Sequence, residues 1–94
     1  MKLIRQGFSE VFADKTAFTS EEYNIPSALP FINLWVGFIG NGPAYIDVKG
    51  KDGTWRTYPE LTFTESAAKI IEMRPGIIRF RFAATAASTM EVSA

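Results

Sequence analysis

The sequence contains neither cysteine nor histidine among its 94 residues. Without cysteine, neither a disulfide framework nor a thiolate metal site can form. Without histidine, the commonest general base is missing, together with the Ser-His-Asp and Cys-His arrangements of nucleophilic catalysis and most zinc sites. We therefore expect no catalytic residue, no bound metal and no cofactor, and we predict that the protein is not an enzyme.

The chain also lacks a net charge and a long apolar segment. Ten basic residues balance ten acidic ones, so the composition shows no basic excess of the kind that nucleic-acid binding requires. No apolar stretch follows the segment from Met1 to Gln6, which predicts neither a signal peptide nor a membrane span. We expect a protein made and assembled in the cytoplasm, with no nucleic-acid or membrane partner. Because neutral proteins associate readily, the charge balance favours an assembling protein.

Short apolar or alternating segments, separated by turn signals, fill the sequence from residue 31 onward. Asp52-Gly53 predicts a hairpin turn, and Pro75-Gly76 predicts a second hairpin between residues 67–74 and 77–84. Residues 65–74 also have small and apolar side chains at helical spacing, but their alternation favours a strand. Thr89 to Val92 is predicted to be a last edge strand. The spacing predicts an all-β fold, a single antiparallel β-sandwich of about seven to eight short strands.

The pattern is less regular near the N-terminus. Residues 1–14 are predicted to form an N-terminal arm, packed on the domain edge or reaching a neighbour, and residues 15–94 the β-sandwich domain. Phe8 and Phe12 make this arm a candidate interface. Residues 15–26 are predicted to form two short strands or one bent strand.

Aromatic residues are abundant, with eight Phe, three Tyr and two Trp. Trp35 lies in a segment where both strand faces are apolar. Either that strand is covered on both sides, or one face is a contact surface with Trp35 as an interface residue. Exposed aromatic rings also stack on sugars, so a carbohydrate-binding module is the alternative function.

Charged residues follow the strand alternation. Asp47 and Lys49 share one face of their strand, and the acidic residues in general are expected to be solvated carboxylates at turns or outward positions. Arg79 and Arg81 share one face of the clearest alternating segment. They form either a solvated face or a basic stripe that pairs with carboxylates of an acidic partner, and both are candidate interface residues.

The order of these features resembles a class of small β-sandwich proteins encoded among the virion structural genes of tailed bacteriophages. The resemblance covers residues 15–92 and is carried mainly by Asp52-Gly53-Thr54-Trp55 and Gly76-Ile77-Ile78-Arg79. An apolar strand with Trp35 and a glycine turn, Gly40-Asn41-Gly42, precede these segments. The N-terminal arm departs from the pattern.

The resemblance implies a non-enzymatic virion structural protein. The expected form is a capsid decoration or cement protein, which binds the assembled phage shell and stabilises joints between capsomers. The implied partners are the major capsid protein or another virion protein, with self-association as a dimer or trimer. The alternative is a carbohydrate- or receptor-binding module of a phage tail or fibre.

Overall fold

The computed structural model describes residues 1–28 and 30–94. Strands dominate this part of the chain, and it contains no α-helix, so the predicted all-β class is confirmed. A 3₁₀ turn spans Pro59–Leu61. The strands are β1 (Lys2–Leu3), β2 (Ser9–Thr19), β3 (Tyr23–Ile25), β4 (Ile32–Ile39), β5 (Ala44–Lys49), β6 (Trp55–Arg56), β7 (Thr62–Phe63), β8 (Ala67–Met73) and β9 (Gly76–Ser93).

The nine strands form one mixed sheet. β1 runs parallel to β3, and the other pairs are antiparallel, whereas the sequence predicts antiparallel strands only. β1 and β3 are not consecutive along the chain, because β2 lies between them. A crossing connection therefore joins the parallel pair, and not a hairpin. The alternation of apolar residues explains β4, where Ile32, Leu34, Val36 and Phe38 are buried and the residues between them face outward.

β9 is the central strand of the sheet. Its first half pairs with β5 on one side and with β3 and the end of β2 on the other. Its second half pairs with β4 and with the start of β2. The segment Thr89 to Val92 therefore lies between two neighbours, and its predicted position at a sheet edge is wrong.

The β8–β9 connection also differs from the prediction. The Pro75-Gly76 turn joins the two strands, yet β8 pairs with β4 and not with β9. β9 already has hydrogen-bonding neighbours on both sides, so no side remains for β8. The Asp52-Gly53 hairpin, in contrast, is confirmed: Lys49 pairs with Trp55, and Gly53 has a φ of 84°, which suits glycine.

The N-terminal segment is part of the sheet. β1 pairs with β3, Ile4 is fully buried, and Phe12 pairs with Met90 of β9. The boundary expected at residue 14 falls inside β2, at a bend where Asp14 has a φ of 54° and the pairing register shifts. The bend brings the Phe12 and Phe18 rings to 5.8 Å. In a straight strand, residues six apart lie roughly 20 Å from each other.

Aromatic rings connect the two halves of the sheet in one core. Phe12, on the first half of β2, lies 5.1 Å from Phe80, on the first half of β9. Phe38 of β4 lies 6.4 Å from Phe82 and 5.7 Å from Phe63. Such tilted and edge-to-face ring pairs add to the free energy gained from apolar burial. The core thus occupies the inward face of the sheet and leaves its outward face for other roles.

Candidate functional site

The outward face of β4 carries large apolar side chains. The strand alternation that buries Leu34 and Phe38 turns Trp35 and Ile39 away from the core. Trp35 keeps 40% of its surface exposed and Ile39 keeps 68%. The sequence allowed this strand to be covered on both faces. Within residues 1–28 and 30–94, only its inward face is covered. The outward face of β4 is left open.

Neighbouring strands extend this apolar surface. Trp35 pairs with Ile70 of β8, whose side chain is 75% exposed. On the other side of β4, Glu91 of β9 lies between Gly37 and Val11 of β2, and Val11 is 54% exposed. Because cross-strand partners share a sheet face, these side chains project together. We call this surface the Trp35 face and define it by Val11, Trp35, Ile39 and Ile70.

A shallow depression of about 270 Å³ lies within the Trp35 face. Its lining includes Trp35 and Ile39, with Gly37 and Ala68 between them. Gly37 leaves room for the indole: a Cβ at this position would lie 2.6 Å from Trp35 Cη2. Thr89 and Glu91 also line the depression. The surface thus combines an aromatic ring and aliphatic groups with a hydroxyl and a carboxylate at its side.

Arg79 and Arg81 lie on the outward face of the other half of the sheet, as their spacing predicts. Both pair with β5, and both guanidinium groups bind one carboxylate, that of Asp47. Arg79 Nε donates to Asp47 Oδ2 at 3.0 Å, and Arg81 Nε donates to the same oxygen at 2.7 Å. Asp47 Oδ1 accepts hydrogen bonds from Arg81 Nη2 at 3.2 Å and from Thr57 Oγ1 at 2.9 Å.

Aromatic rings enclose this cluster. The Arg79 guanidinium lies 4.3 Å from the Trp55 ring centroid, and the Arg81 guanidinium lies 4.2 Å from that of Tyr45. Asp47 is fully buried beneath them. Burial alone would raise the pKa of Asp47, but hydrogen bonds from Arg81, Arg79 and Thr57 outweigh it and hold the pKa below its ordinary value. The expectation of a solvated carboxylate is wrong for Asp47.

This arrangement changes the interpretation of the two arginines. Each already has a carboxylate partner inside the chain, so the cluster joins β5 to β9. Period-two spacing placed Arg79 and Arg81 on one face, but it gave no sign that Asp47 stood opposite them. That information lies in the β5–β9 register, in which Asp47 pairs with Arg79 and Tyr45 with Arg81.

The two phenylalanines expected at an interface lie in other surroundings. Phe12 is 7% exposed and belongs to the core, where Phe80 and Phe18 contact it. Phe12 therefore lies on a paired strand and not on a free arm, and its ring is enclosed by the chain itself. Phe8 is half-buried and packs edge-on against Tyr23, with ring centroids 5.6 Å apart. Among the expected interface residues, Trp35 alone stands in a broad exposed apolar surface.

Compared with protein-family models, with curated proteins and with solved structures, the chain shows no match. Within residues 1–28 and 30–94, no helix has the length and apolar character needed to cross a membrane.

Proposed function

We propose that the protein is a non-enzymatic virion structural protein that docks onto an assembled phage shell through the Trp35 face. In its most specific form, it is a capsid decoration or cement protein that contacts neighbouring capsomers. The two halves of the sheet act as the two layers of a sandwich, with the aromatic core between them and the Trp35 face on the outside of one layer.

The observation that carries this proposal is the exposure of four large apolar side chains on one sheet face. Val11, Trp35, Ile39 and Ile70 each leave 40% or more of their surface in water. Large apolar side chains exposed together on one sheet face are a mark of association sites on soluble proteins. Tryptophan is also among the residues most often found at the energetic centre of an interface.

The choice of a protein shell as partner rests on two further points. The chain has a formal net charge of zero, so electrostatic repulsion does little to keep copies apart on a crowded surface. The turn and strand order resembles that of small virion proteins, as described above. A contact that binds only the assembled shell stabilises that state by mass action, and this is the mechanism by which a cement protein works.

A carbohydrate-binding module of a tail or fibre is the second candidate. It is favoured by the exposed Trp35 indole, which has Thr89 and Glu91 beside it. An aromatic ring next to a hydroxyl and a carboxylate suits a sugar ring. The aliphatic side chains of Ile39 and Ile70, which are more exposed than Trp35, favour a protein surface instead.

Co-sedimentation tests the shell proposal. Labelled chain is mixed with shells assembled from the major capsid protein encoded in the same genome, and the bound fraction is measured across chain concentrations. Trp35→Ala should weaken binding by about thirtyfold, equivalent to roughly 2 kcal/mol for an aromatic anchor. Ile39→Lys should also abolish or strongly weaken binding, because it places a charge in the interface.

Leu3→Lys is the matched control. Leu3 is 47% exposed on β1, so the substitution makes the same apolar-to-cationic change away from the Trp35 face. It should leave shell binding unchanged. Equal binding by Ile39→Lys and the unmodified chain would refute the docking proposal. Retention on immobilised glycans that is lost in Trp35→Ala, without any shell binding, would favour the carbohydrate module.

A further inference from the structure

β8 is a sheet edge with one free side. All seven of its residues pair with β4 in a continuous register, from Met73 opposite Ile32 to Ala67 opposite Phe38. On the opposite side of β8, no strand within residues 1–28 and 30–94 pairs with it. An edge of this kind presents a row of backbone N–H and C=O groups that can pair with another chain.

β8 lacks two of the features that usually protect a sheet edge, a proline and a bulge. Between Ala67 and Met73 the strand has no proline, and its pairing with β4 shows no bulge. β8 does carry a lysine, the residue type that often protects an edge, but the Lys69 ammonium group lies 4.7 Å from the centroid of the buried Phe63 ring. By comparison, β1, β6 and β7 have only two residues each, and β2 is interrupted by register shifts. β8 is therefore the longest regular edge available for pairing.

We propose that two copies of this chain associate by antiparallel pairing of their β8 strands, with the two-fold axis at Ile70. Ile70 is the midpoint of the seven-residue strand, so this register pairs every residue of β8 with one of the second copy. Ala67 then lies opposite Met73, Ala68 opposite Glu72, and Lys69 opposite Ile71. Pro75, which cannot donate a backbone hydrogen bond, lies beyond the paired region.

Charge and strand length together select this register over its neighbours. An axis at Ile71 would leave Ala67 opposite Pro75, which cannot donate a backbone hydrogen bond. An axis at Lys69 or at Glu72 would place two like charges directly opposite each other. Like charges at directly opposed positions destabilise a strand pair. With the axis at Ile70, neither Lys69 nor Glu72 lies opposite the same residue of the second copy. The chain's net charge of zero adds no overall repulsion between two copies.

The side chain at the axis supports the same arrangement. Ile70 is 75% exposed, the highest value among the exposed large apolar residues of the described chain. In the dimer it would contact the partner's Ile70. Because Trp35 pairs with Ile70 across β4 and β8, the apolar row would run from Trp35 through both isoleucines to the second Trp35. A two-fold axis normal to the sheet leaves both Trp35 faces on the same side. The dimer rests on the free edge and does not require the docking proposal.

Disulfide trapping tests this arrangement in a chain that has no native cysteine. Directly opposed residues of an antiparallel pair have Cα atoms about 4.5–5.5 Å apart. That separation lies within the range of roughly 4.4–6.8 Å that a disulfide spans. The Ile70→Cys chain should therefore form a disulfide-linked dimer under mild oxidation. Ile39→Cys is the matched control, with 68% exposure on the same face but on β4.

We expect Ile70→Cys to cross-link at least about tenfold faster than Ile39→Cys at equal concentration, because pairing raises the local thiol concentration. Sedimentation equilibrium of the unmodified chain should show a reversible dimer of twice 10.5 kDa, which Ile70→Lys weakens. Equal cross-linking rates for the two cysteine variants would overturn the proposal. So would a dimer that Ile70→Lys leaves intact. If the unmodified chain does not bind shells but Ile70→Cys still cross-links faster than Ile39→Cys, only the docking proposal is contradicted.

Discussion

Asp47→Asn hardly changes the shape of the side chain, yet the structure predicts that it lowers the free energy of unfolding strongly. Asp47 is fully buried and accepts four hydrogen bonds, from Arg79, Arg81 and Thr57. Removing one member of a buried ion pair generally costs about 3–5 kcal/mol. The two arginine side chains are 24% and 29% exposed, so water restores part of their hydration in the variant. We therefore expect a loss near the lower limit, about 3 kcal/mol.

Urea unfolding at neutral pH, followed by circular dichroism and fluorescence, measures this loss. The midpoint should fall while the denaturant slope stays unchanged, because the surface exposed on unfolding is the same. Asp52→Asn is the control: Asp52 also pairs with an arginine, Arg56, but its side chain is 58% exposed. It should change stability little. If Asp47→Asn is no more destabilising than Asp52→Asn, the buried cluster does not contribute as the structure indicates.

The same variant has a defined pH dependence. The folded-state pKa of Asp47 lies below the ordinary value of 3.8, so the unfolded chain takes up the proton first as the pH falls. The contribution of Asp47 is thus fully present above that ordinary value and is lost as the pH falls through the lowered folded-state pKa. The stability gap between the unmodified chain and Asp47→Asn should therefore narrow in acid. A gap that is constant with pH would contradict an ionised Asp47.

Four other predictions follow from the core and the outward face. Phe12→Ala should cost about 3–5 kcal/mol in urea unfolding, because its ring is enclosed in the core. Phe8→Ala should lower the free energy of unfolding clearly less than Phe12→Ala does. A larger loss for Phe8→Ala would contradict the placement of β2. Gly37→Ala should displace the Trp35 indole, because the new Cβ would lie 2.6 Å from it. An unchanged tryptophan emission spectrum would refute this. In co-sedimentation, Trp35→Ala should weaken shell binding by about thirtyfold, and Ile39→Lys should abolish or strongly weaken it. In oxidative trapping, Ile70→Cys should cross-link faster than Ile39→Cys.

Local pattern was sufficient for part of the fold. Alternation identified β5 and the first half of β9, aromatic and branched composition identified β4, and Asp52-Gly53 identified the β5–β6 hairpin. These features depend on side-chain period and on the φ preference of glycine, both of which are encoded within a few residues. Because both faces of β4 are apolar, the sequence left open whether the strand is covered on both sides or exposes Trp35 on a contact surface.

Non-local pairing accounts for what the sequence did not reveal. A small-residue segment, Ala83 to Ser88, hides the continuity of β9, so its second half looked like a separate edge strand. The Pro75-Gly76 turn looked like a hairpin, although β9 has no free side for β8. Asp47 looked like a solvated carboxylate because its strand alternates. Its burial depends on two arginines more than thirty residues away along the chain.

The central claim, that the Trp35 face is covered in the assembled state, can be tested by oxidative footprinting of the chain free and bound to shells. Trp55, half-buried against Arg79 on the other half of the sheet, serves as the internal reference. Docking predicts that oxidation of Trp35 and Ile39 falls on binding while that of Trp55 does not change. Oxidation of Trp35 at the same rate in shell-bound and free chain would contradict the account.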